Sequence, residues 1–360
     1  MKICFLLGGF YSGGIGRVVS ILANELCKDE KNEVHAVTLR PAAKKEIYKL
    51  DSRVLRSYLV DDNRPVKYIF FSALKKYKLY IKENKIDISI ACGNIFYLLA
   101  LLSKSRLTKV ICWEHSNVYT TSDNQGQTAF RFIASKFADQ VVTLTNSDKD
   151  GYEKKFKAKR VKRIYNPIDP GLDAQVAYNV NSKKIISVGR FCYQKHFEDI
   201  PDIALELNKH QNNWIWEIYG TGDTEEDIKK KIAEYNLDDK VKLKGQVGDL
   251  YRRYSQYSMI VMTSRYEGFP MTLLEGAANG LPMVSYDIHT GPNEIIDNGE
   301  NGFLLKEEDI KGMAERISYL LQNQEKRESF SRKSYETALK FNVSNIVQEW
   351  LQLFDKLINN

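Results

Sequence analysis

Apolar residues along this chain fall into short unbroken runs, and stretches of helical period lie between most of them. In the first half the runs predict strands at Lys2–Leu7, Glu33–Leu39, Asp87–Ala91, Val110–Glu114, Gln140–Leu144 and Val161–Tyr165, with a helix from Arg17 to Lys28 after the first. Asn166-Pro167-Ile168-Asp169-Pro170-Gly171 breaks the pattern with turn residues. A second series follows: strands at Ile185–Val188, Trp214–Tyr219, Val241–Leu243, Met259–Met262, Pro282–Tyr286 and Gly302–Leu305, then helices over Glu307–Asn323 and Glu325–Lys340. The last segment, Val343–Leu357, sets Ile346, Val347, Trp350, Leu351, Phe354 and Leu357 on one helical face. Continuous apolar strands alternating with helices call for parallel sheets covered on both faces. The expectation is an α/β chain of two doubly wound domains with a cleft between them. The expected boundaries are residues 1–166, a linker at 167–182, a second domain at 183–340 and a closing helix at 341–360.

Composition adds limits. With 43% hydrophobic and 28% charged residues the chain is an ordinary globular one, and 360 residues suffice for two cores. The apolar run after Lys2 reaches glycines at once and reads as a strand, not a secretory signal. The longest apolar run, Ile95–Leu102, is far too short to span a bilayer. Cys4, Cys27, Cys92, Cys112 and Cys192 are scattered without a Cys-x-x-Cys, the pattern of free thiols in a reducing cytoplasm.

Charge is divided unevenly. Residues 1–166 hold 30 Lys+Arg against 16 Asp+Glu, a net of +14, and the remainder holds 23 against 30, a net of −7. An anionic partner is therefore expected for the first half. Arg64–Lys85 carries seven cations and one acid among Tyr68, Phe70, Phe71, Tyr77, Leu79 and Tyr80, and Lys154–Arg163 carries seven more cations. A basic-aromatic helix of this kind suits an anionic membrane surface, and the bland alternative is a solvated helix face. No base-reading motif supports nucleic acid.

Candidate chemistry gathers at strand ends. Between the strands at Met259–Met262 and Pro282–Tyr286 lie Glu267, on a turn, and Glu275, early in a helix. Both carboxylates are placed to face one cleft beside the helix N-terminus, whose unpaired N–H groups favour an anion. Gly189-Arg190-Phe191-Cys192-Tyr193-Gln194-Lys195 follows the first strand of the second half, and Arg190 with Lys195 fits a diphosphate clamp as well as a pair of solvated cations. Trp113-Glu114-His115-Ser116-Asn117 ends a buried strand, where His115 is either a ligand contact or a hydrogen-bonded loop histidine. The loop Gly8-Gly9-Phe10-Tyr11-Ser12-Gly13-Gly14-Ile15-Gly16 completes neither a P-loop nor Gly-x-Gly-x-x-Gly, and serves as a tight turn or a ligand loop. No histidine pair has metal-ligand spacing, and no Asp-x-Asp stands directly at the end of an apolar strand.

These residues together resemble the retaining GT-B glycosyltransferases of family 4 along nearly the whole chain. The resemblance rests on Glu-x7-Glu at Glu267 and Glu275, Gly-Arg-x4-Lys at Gly189, Arg190 and Lys195, the Gly-Gly-Ile-Gly loop, and Gly245-Gln246-Val247-x-Asp249. Trp-Glu-His-Ser-Asn with Asp287-x-x-Thr290-Gly291-Pro292-x-Glu294 is similar to the branch that builds bacterial surface polysaccharides and lipid-linked oligosaccharides. The resemblance implies a GT-B fold, two Rossmann-like domains facing a cleft, with the last helix returning to the first domain. It also implies roles: Glu275 on the ribose hydroxyls, Glu267 on a donor-sugar hydroxyl, and Arg190 and Lys195 on the diphosphate. Backbone N–H groups of Gly268, Phe269, Met271 and Thr272 would assist, Gln246 and Val247 would meet the base, His115 the donor sugar, and Gly14 and Gly16 would flank the donor.

The expected protein is a cytoplasmic enzyme at the inner face of the cytoplasmic membrane. It would move a hexose or N-acetylhexosamine from a UDP-sugar to a polyprenyl-diphosphate-linked glycan, with retention and without a metal or other cofactor. Two rivals remain from the sequence: a sugar-nucleotide epimerase or hydrolase on the same scaffold, and a non-catalytic nucleotide-sugar-binding protein.

Overall fold

The structure, a computed structural model, describes residues 1–10, 13–41, 47–120, 125–172, 178–248 and 250–359, apart from the side chains of residues 125, 251 and 252. Tyr11 and Ser12 of the glycine loop, Asp249 of the Gly245 motif and residues 173–177 of the expected linker lie outside the described residues. The chain divides into two compact units, one running to Pro167 and resuming at Val343, the other covering Ile168–Asn342.

In the first unit, strands β1 (Lys2–Leu7), β2 (Glu33–Thr38), β3 (Leu55–Tyr58), β4 (Ile88–Cys92), β5 (Lys109–Trp113), β6 (Gln140–Thr143) and β7 (Val161–Arg163) form one sheet, in the order β3-β2-β1-β4-β5-β6-β7. Neighbouring strands pair in parallel, with Leu6 opposite Val37 on one side and Ala91 on the other. Helices α1 (Gly14–Leu26), α2 (Val66–Asn84), α3 (Asn94–Ser103), α4 (Gln125–Phe137) and α5 (Asn146–Lys155) cross over between strands. Crossovers between parallel strands turn right-handed as a rule, so the change of direction between β1 and β4 opens a crevice at their carboxyl ends.

The second unit repeats the plan. Strands β8 (Lys184–Val188), β9 (Ile215–Tyr219), β10 (Val241–Leu243), β11 (Met259–Met262), β12 (Met283–Tyr286) and β13 (Gly302–Leu305) lie in the order β10-β9-β8-β11-β12-β13, again parallel. Helices α6 (Ile200–Asn208), α7 (Glu225–Glu234), α8 (Met271–Ala278), α9 (Ile310–Gln322) and α10 (Gln324–Leu339) cover it. Here the switch point falls between β8 and β11. Those are the two strands whose carboxyl ends carry Arg190–Lys195 and Glu267.

Two close approaches fix the layer between sheet and helices. A Cβ on Gly276 of α8 would come within 2.8 Å of the Ile260 side chain on β11, so glycine lets the helix lie against the strand. A Cβ on Gly220 would meet the Gly189 carbonyl oxygen at 1.7 Å, so glycine lets the chain just beyond β9 lie close against that beyond β8.

The last helix, α11 (Val343–Ile358), belongs to the first unit and packs on α1. Its buried face is Val343, Ile346, Val347, Trp350, Leu353 and Phe354. Leu353 replaces the expected Leu351 and Leu357, which are half-buried, because the helix turns its seam slightly from the periodicity read in the sequence. Where the sequence suggested a linker, Ile168 donates its N–H to the Phe341 carbonyl at 2.9 Å, and Arg327 donates to the Val180 carbonyl at 2.6 Å. Both stretches are bonded into the second unit.

Two further readings change. The first helix begins at Gly14, three residues before Arg17, so Gly14 and Gly16 lie in its first turn. The basic stretch Lys154–Arg163 is partly engaged: Lys162 donates to the Glu349 carbonyl at 3.1 Å, and Arg163 stacks on Tyr165 at 3.9 Å.

Candidate functional site

At the β8–β11 switch point the two loops are tied together by their backbones. Arg265 N–H donates to the Gln194 carbonyl at 2.9 Å, and the Thr263 hydroxyl donates to the Lys195 carbonyl at 3.0 Å. The Arg265 guanidinium adds a bond to the Tyr193 carbonyl at 3.0 Å and stacks on the Tyr193 ring at 4.2 Å. A Cβ on Gly189 would lie 3.0 Å from the Lys195 stem, so glycine clears its path back over the end of β8.

This brings Lys195 and Glu267, 72 residues apart, into contact: Lys195 Nζ lies 2.6 Å from Glu267 Oε1. The Ser264 hydroxyl donates to the same oxygen at 2.7 Å, and Gln194 Nε2 reaches Glu267 Oε2 at 3.4 Å. Thr290 donates its hydroxyl to the Glu267 carbonyl. The Lys195 side chain is 15% exposed and that of Glu267 8%, so water screens the pair weakly. Arg190, on the same loop as Lys195, is exposed and makes no ion pair or side-chain hydrogen bond with the described residues.

Glu275 is buried in α8 and accepts a hydrogen bond from the Tyr254 hydroxyl at 2.9 Å. Gly268 and Phe269 form the turn before α8, with the Phe269 ring against Phe341 at 5.6 Å. Met271 and Thr272 open the helix, where first-turn N–H groups have no intrahelical acceptor. Gln246 is exposed and Val247 half-buried on the loop after β10. Ser264, Gln194, Tyr254 and Arg265 were not singled out in the sequence. Ser264 at least carried a signal, standing three residues before Glu267 at a strand end.

In the first unit, His115 follows β5. Its ring lies 4.3 Å from that of Trp113, which in turn lies 4.9 Å from the ring of Trp350 on α11. His115 Nε2 is sealed from water without a hydrogen-bond partner among the described residues. Burial pushes the imidazole down to about 4, although the Glu114 charge works the other way, so the ring is neutral at physiological pH. Glu114 is itself buried and accepts from Arg131 Nε at 2.9 Å and the Tyr152 hydroxyl at 2.7 Å. Burial acts to raise that carboxyl, but the Arg131 charge and the hydrogen bonds outweigh it and hold it below the usual range. Gly14 and Gly16, at the start of α1, follow the strand on one side of this unit's switch point.

Comparison with known proteins matches this plan. The family model described as Glycosyltransferase Family 4 matches residues 12–172, and that described as Glycosyl transferases group 1 matches residues 172–337. The chain belongs to glycosyltransferase family 4. Among curated relatives of this family 4 enzyme is the amylovoran biosynthesis glycosyltransferase AmsD of Erwinia amylovora, 27% identical, covering 97% of this chain and 98% of the relative. Another is a Campylobacter jejuni α-1,4-N-acetyl-D-galactosaminyltransferase named for a diNAcBac-PP-undecaprenol-linked acceptor, 26% identical over all of this chain and 99% of its own. Among solved structures, Anabaena HepE in complex with UDP superposes with a TM-score of 0.82 at 17% identity, covering 99% of this chain and 100% of that one, and shares the GT-B fold.

Proposed function

We propose that this family 4 enzyme transfers a hexose or N-acetylhexosamine, such as Gal, GalNAc, Glc or GlcNAc, from a UDP-sugar to a lipid-linked glycan. The transfer would retain the anomeric configuration and serve capsule, exopolysaccharide or O-antigen assembly. The observation that carries the reading is the Lys195–Glu267 pair at the β8–β11 switch point, beside the exposed Arg190 and the start of α8. An acid held for hydroxyls next to cations held for phosphates is the recognition pattern of a nucleotide-sugar. The relatives' names, one an amylovoran enzyme and one acting on an undecaprenol-linked glycan, support the acceptor class.

In this reading Glu275 takes the ribose hydroxyls, steadied by Tyr254, and Gln246 and Val247 take the base. Arg190, Lys195 and the N–H groups of Gly268, Phe269, Met271 and Thr272 hold the diphosphate. An ammonium has three donors, so Lys195 keeps its bond to Glu267 and still offers two to phosphate. Glu267 and His115 take donor-sugar hydroxyls, and Gly14 and Gly16 flank the donor. As the anomeric C–O bond breaks, negative charge grows on the departing diphosphate, and Arg190, Lys195 and the helix N-terminus stabilise it in place. The acceptor hydroxyl attacks from the face the diphosphate leaves, and a donor phosphate oxygen takes its proton. Glu267, bonded to Lys195, Ser264 and Gln194, acts as an orienting group and not as a nucleophile. Transfer is metal-independent in this proposal because protein cations stand at the diphosphate, and the enzyme works at the inner face of the cytoplasmic membrane.

The test is a thermal-shift screen across UDP- and GDP-sugars, then NMR of the product's anomeric proton on a polyprenyl-diphosphate-linked acceptor, repeated with EDTA. Retention and undiminished turnover in EDTA are expected. An inverted product, or loss of turnover in EDTA, would overturn the mechanism, and sugar released from donor and water alone would mark a hydrolase.

A further inference from the structure

Helix α2 has two characters. Ile69, Ala73, Tyr77 and Ile81 are buried, and Tyr77 donates or accepts with Ser89 at 2.7 Å, so part of the aromatic set read in the sequence belongs to the core. Away from the buried face Lys67, Lys75, Lys78 and Lys82 are exposed along one side of the helix, Lys76 is exposed half a turn from Lys67, and none of the five forms an ion pair with the described residues. Arg64, just before the helix, is by contrast neutralised by Asp62 at 2.7 Å. Phe71 is 78% exposed and Tyr68 61%. Positions four apart share a helix face, so Phe71 stands between Lys67 and Lys75.

Beneath that face, between α2 and α3, opens a cavity of about 490 Å³ lined by Val66, Lys67, Phe70, Phe71, Ile95 and Leu98. Its walls are carbon except for Lys67. A cavity of this size is in the range that takes a small apolar ligand. One lysine at the rim of an apolar opening, with more along the same helix, complements one kind of ligand: an anionic headgroup with a hydrocarbon chain attached. Apolar burial and a basic patch reinforce each other at an anionic membrane, and α2 with α3 offers an apolar opening beside exposed lysines.

We infer that the α2–α3 cavity receives an acyl chain of an anionic membrane phospholipid, with Lys67 at the phosphate and Phe71 inserted beside the chain. This site is separate from the nucleotide-sugar site and rests on the transfer reading only for the lipid-borne acceptor that gives membrane docking its purpose.

The experiment uses the full chain and vesicles of phosphatidylglycerol and phosphatidylcholine in equal parts. Leu98→Trp narrows the cavity and leaves every lysine in place. It should lower vesicle partition about tenfold, what two lost methylene contacts are worth, with UDP affinity unchanged by calorimetry. Phe71→Trp places a reporter on the face. The native tryptophans Trp113, Trp214, Trp216 and Trp350 are at most 2% exposed, so a short-range quencher in the bilayer reaches only the added one. Phosphatidylglycerol brominated along its acyl chains should quench that reporter. Partition of Leu98→Trp equal to the parent, or a vesicle-bound Phe71→Trp protein left unquenched, overturns the inference. So does a parent that self-associates and ignores the vesicles, which would give the face to a second copy of the chain. Should Leu98→Trp lose UDP binding through misfolding, the reporter on the otherwise native chain decides. In any of these failures, retained UDP binding by the parent leaves the transfer reading standing.

Discussion

Lys195 and Glu267 hold each other before any ligand arrives, and this gives each a structural as well as a chemical role. Lys195→Ala should lower turnover about 10²- to 10³-fold through lost charge stabilisation of the leaving group. It should also cost about 2 kcal/mol of stability, because it strands a buried carboxylate that Ser264 and Gln194 hold in part. Adding Glu267→Gln should restore the melting temperature without restoring turnover. If the double variant melts no higher than Lys195→Ala, the pair is not what holds that carboxylate in place. Glu275→Ala should weaken UDP binding at least about tenfold by calorimetry, the order expected when a hydrogen-bonded hydroxyl is left unpaired, and unchanged affinity would remove its ribose role. His115 sets a pH dependence. Its folded value is about 4 against about 6.5 in an unfolded chain, so the unfolded state binds the proton first as pH falls. Stability therefore declines between about pH 6.5 and 4, by up to about 3 kcal/mol, and is unaffected above that window. Asp148, pushed up to about 7 by burial from about 3.9 in an unfolded chain, slopes the other way across that whole range. The clean measurement is thus the difference between parent and His115→Asn in urea midpoints at pH 5 and 7.5; equal pH dependence in both would refute the sealed imidazole. The carboxylates and cations were legible in the sequence because Glu-x7-Glu and Gly-Arg-x4-Lys are local patterns. Their contact was not, because it depends on two strands 72 residues apart becoming neighbours.

At the scale of elements, strands buried on both faces announced themselves, since a run such as Ile-Ser-Ile-Ala-Cys in β4 has no polar face to show. β3 did not. Leu55, Arg56 and Tyr58 are exposed on the sheet edge, so Leu55–Tyr58 carries neither an apolar run nor an alternation, and only pairing with β2 makes it a strand. The start of α1 was misjudged for a different reason: glycines read as loop, yet here Gly14 and Gly16 are inside the helix. Helix α11 shows an element serving a residue. Trp350 presses on Trp113, and Trp113 on His115, so the last helix of the chain backs the strand end that carries the imidazole. Trp350→Ala should cost about 3–5 kcal/mol as a buried large-to-small change. Trp350→Phe should recover much of that stability. If the stack orients His115, Trp350→Phe will still show a reduced turnover with UDP affinity intact, whereas a purely structural tryptophan would leave both at parental values.

The whole molecule joins two units of the same plan and opposite charge: the first, with α11, holds 31 Lys+Arg against 18 Asp+Glu, a net of +13, and the second 22 against 28, a net of −6. Charge of that kind does not choose a fold, but it does choose partners. The acidic unit nonetheless carries the candidate nucleotide site, which means that anion binding there depends on Arg190, Lys195 and the start of α8 acting locally and not on the unit's overall field. The basic unit keeps exposed lysines along α2, with Lys67 at the rim of the apolar cavity. Ligands should then protect different amides in hydrogen exchange. UDP at about a hundredfold over its dissociation constant should stabilise what it binds by about 2.7 kcal/mol, slowing exchange in the loops after β8 and β11 and in the first turns of α8, and leaving α2 unchanged. Vesicles containing phosphatidylglycerol should slow exchange in α2 and α3 and leave α8 unchanged. High salt should weaken the vesicle effect far more than the UDP effect, because the lysines of α2 face water while the Lys195 side chain is 15% exposed. UDP protection centred on α2, or vesicle protection centred on α8, would reverse the assignment of nucleotide and membrane to the two units.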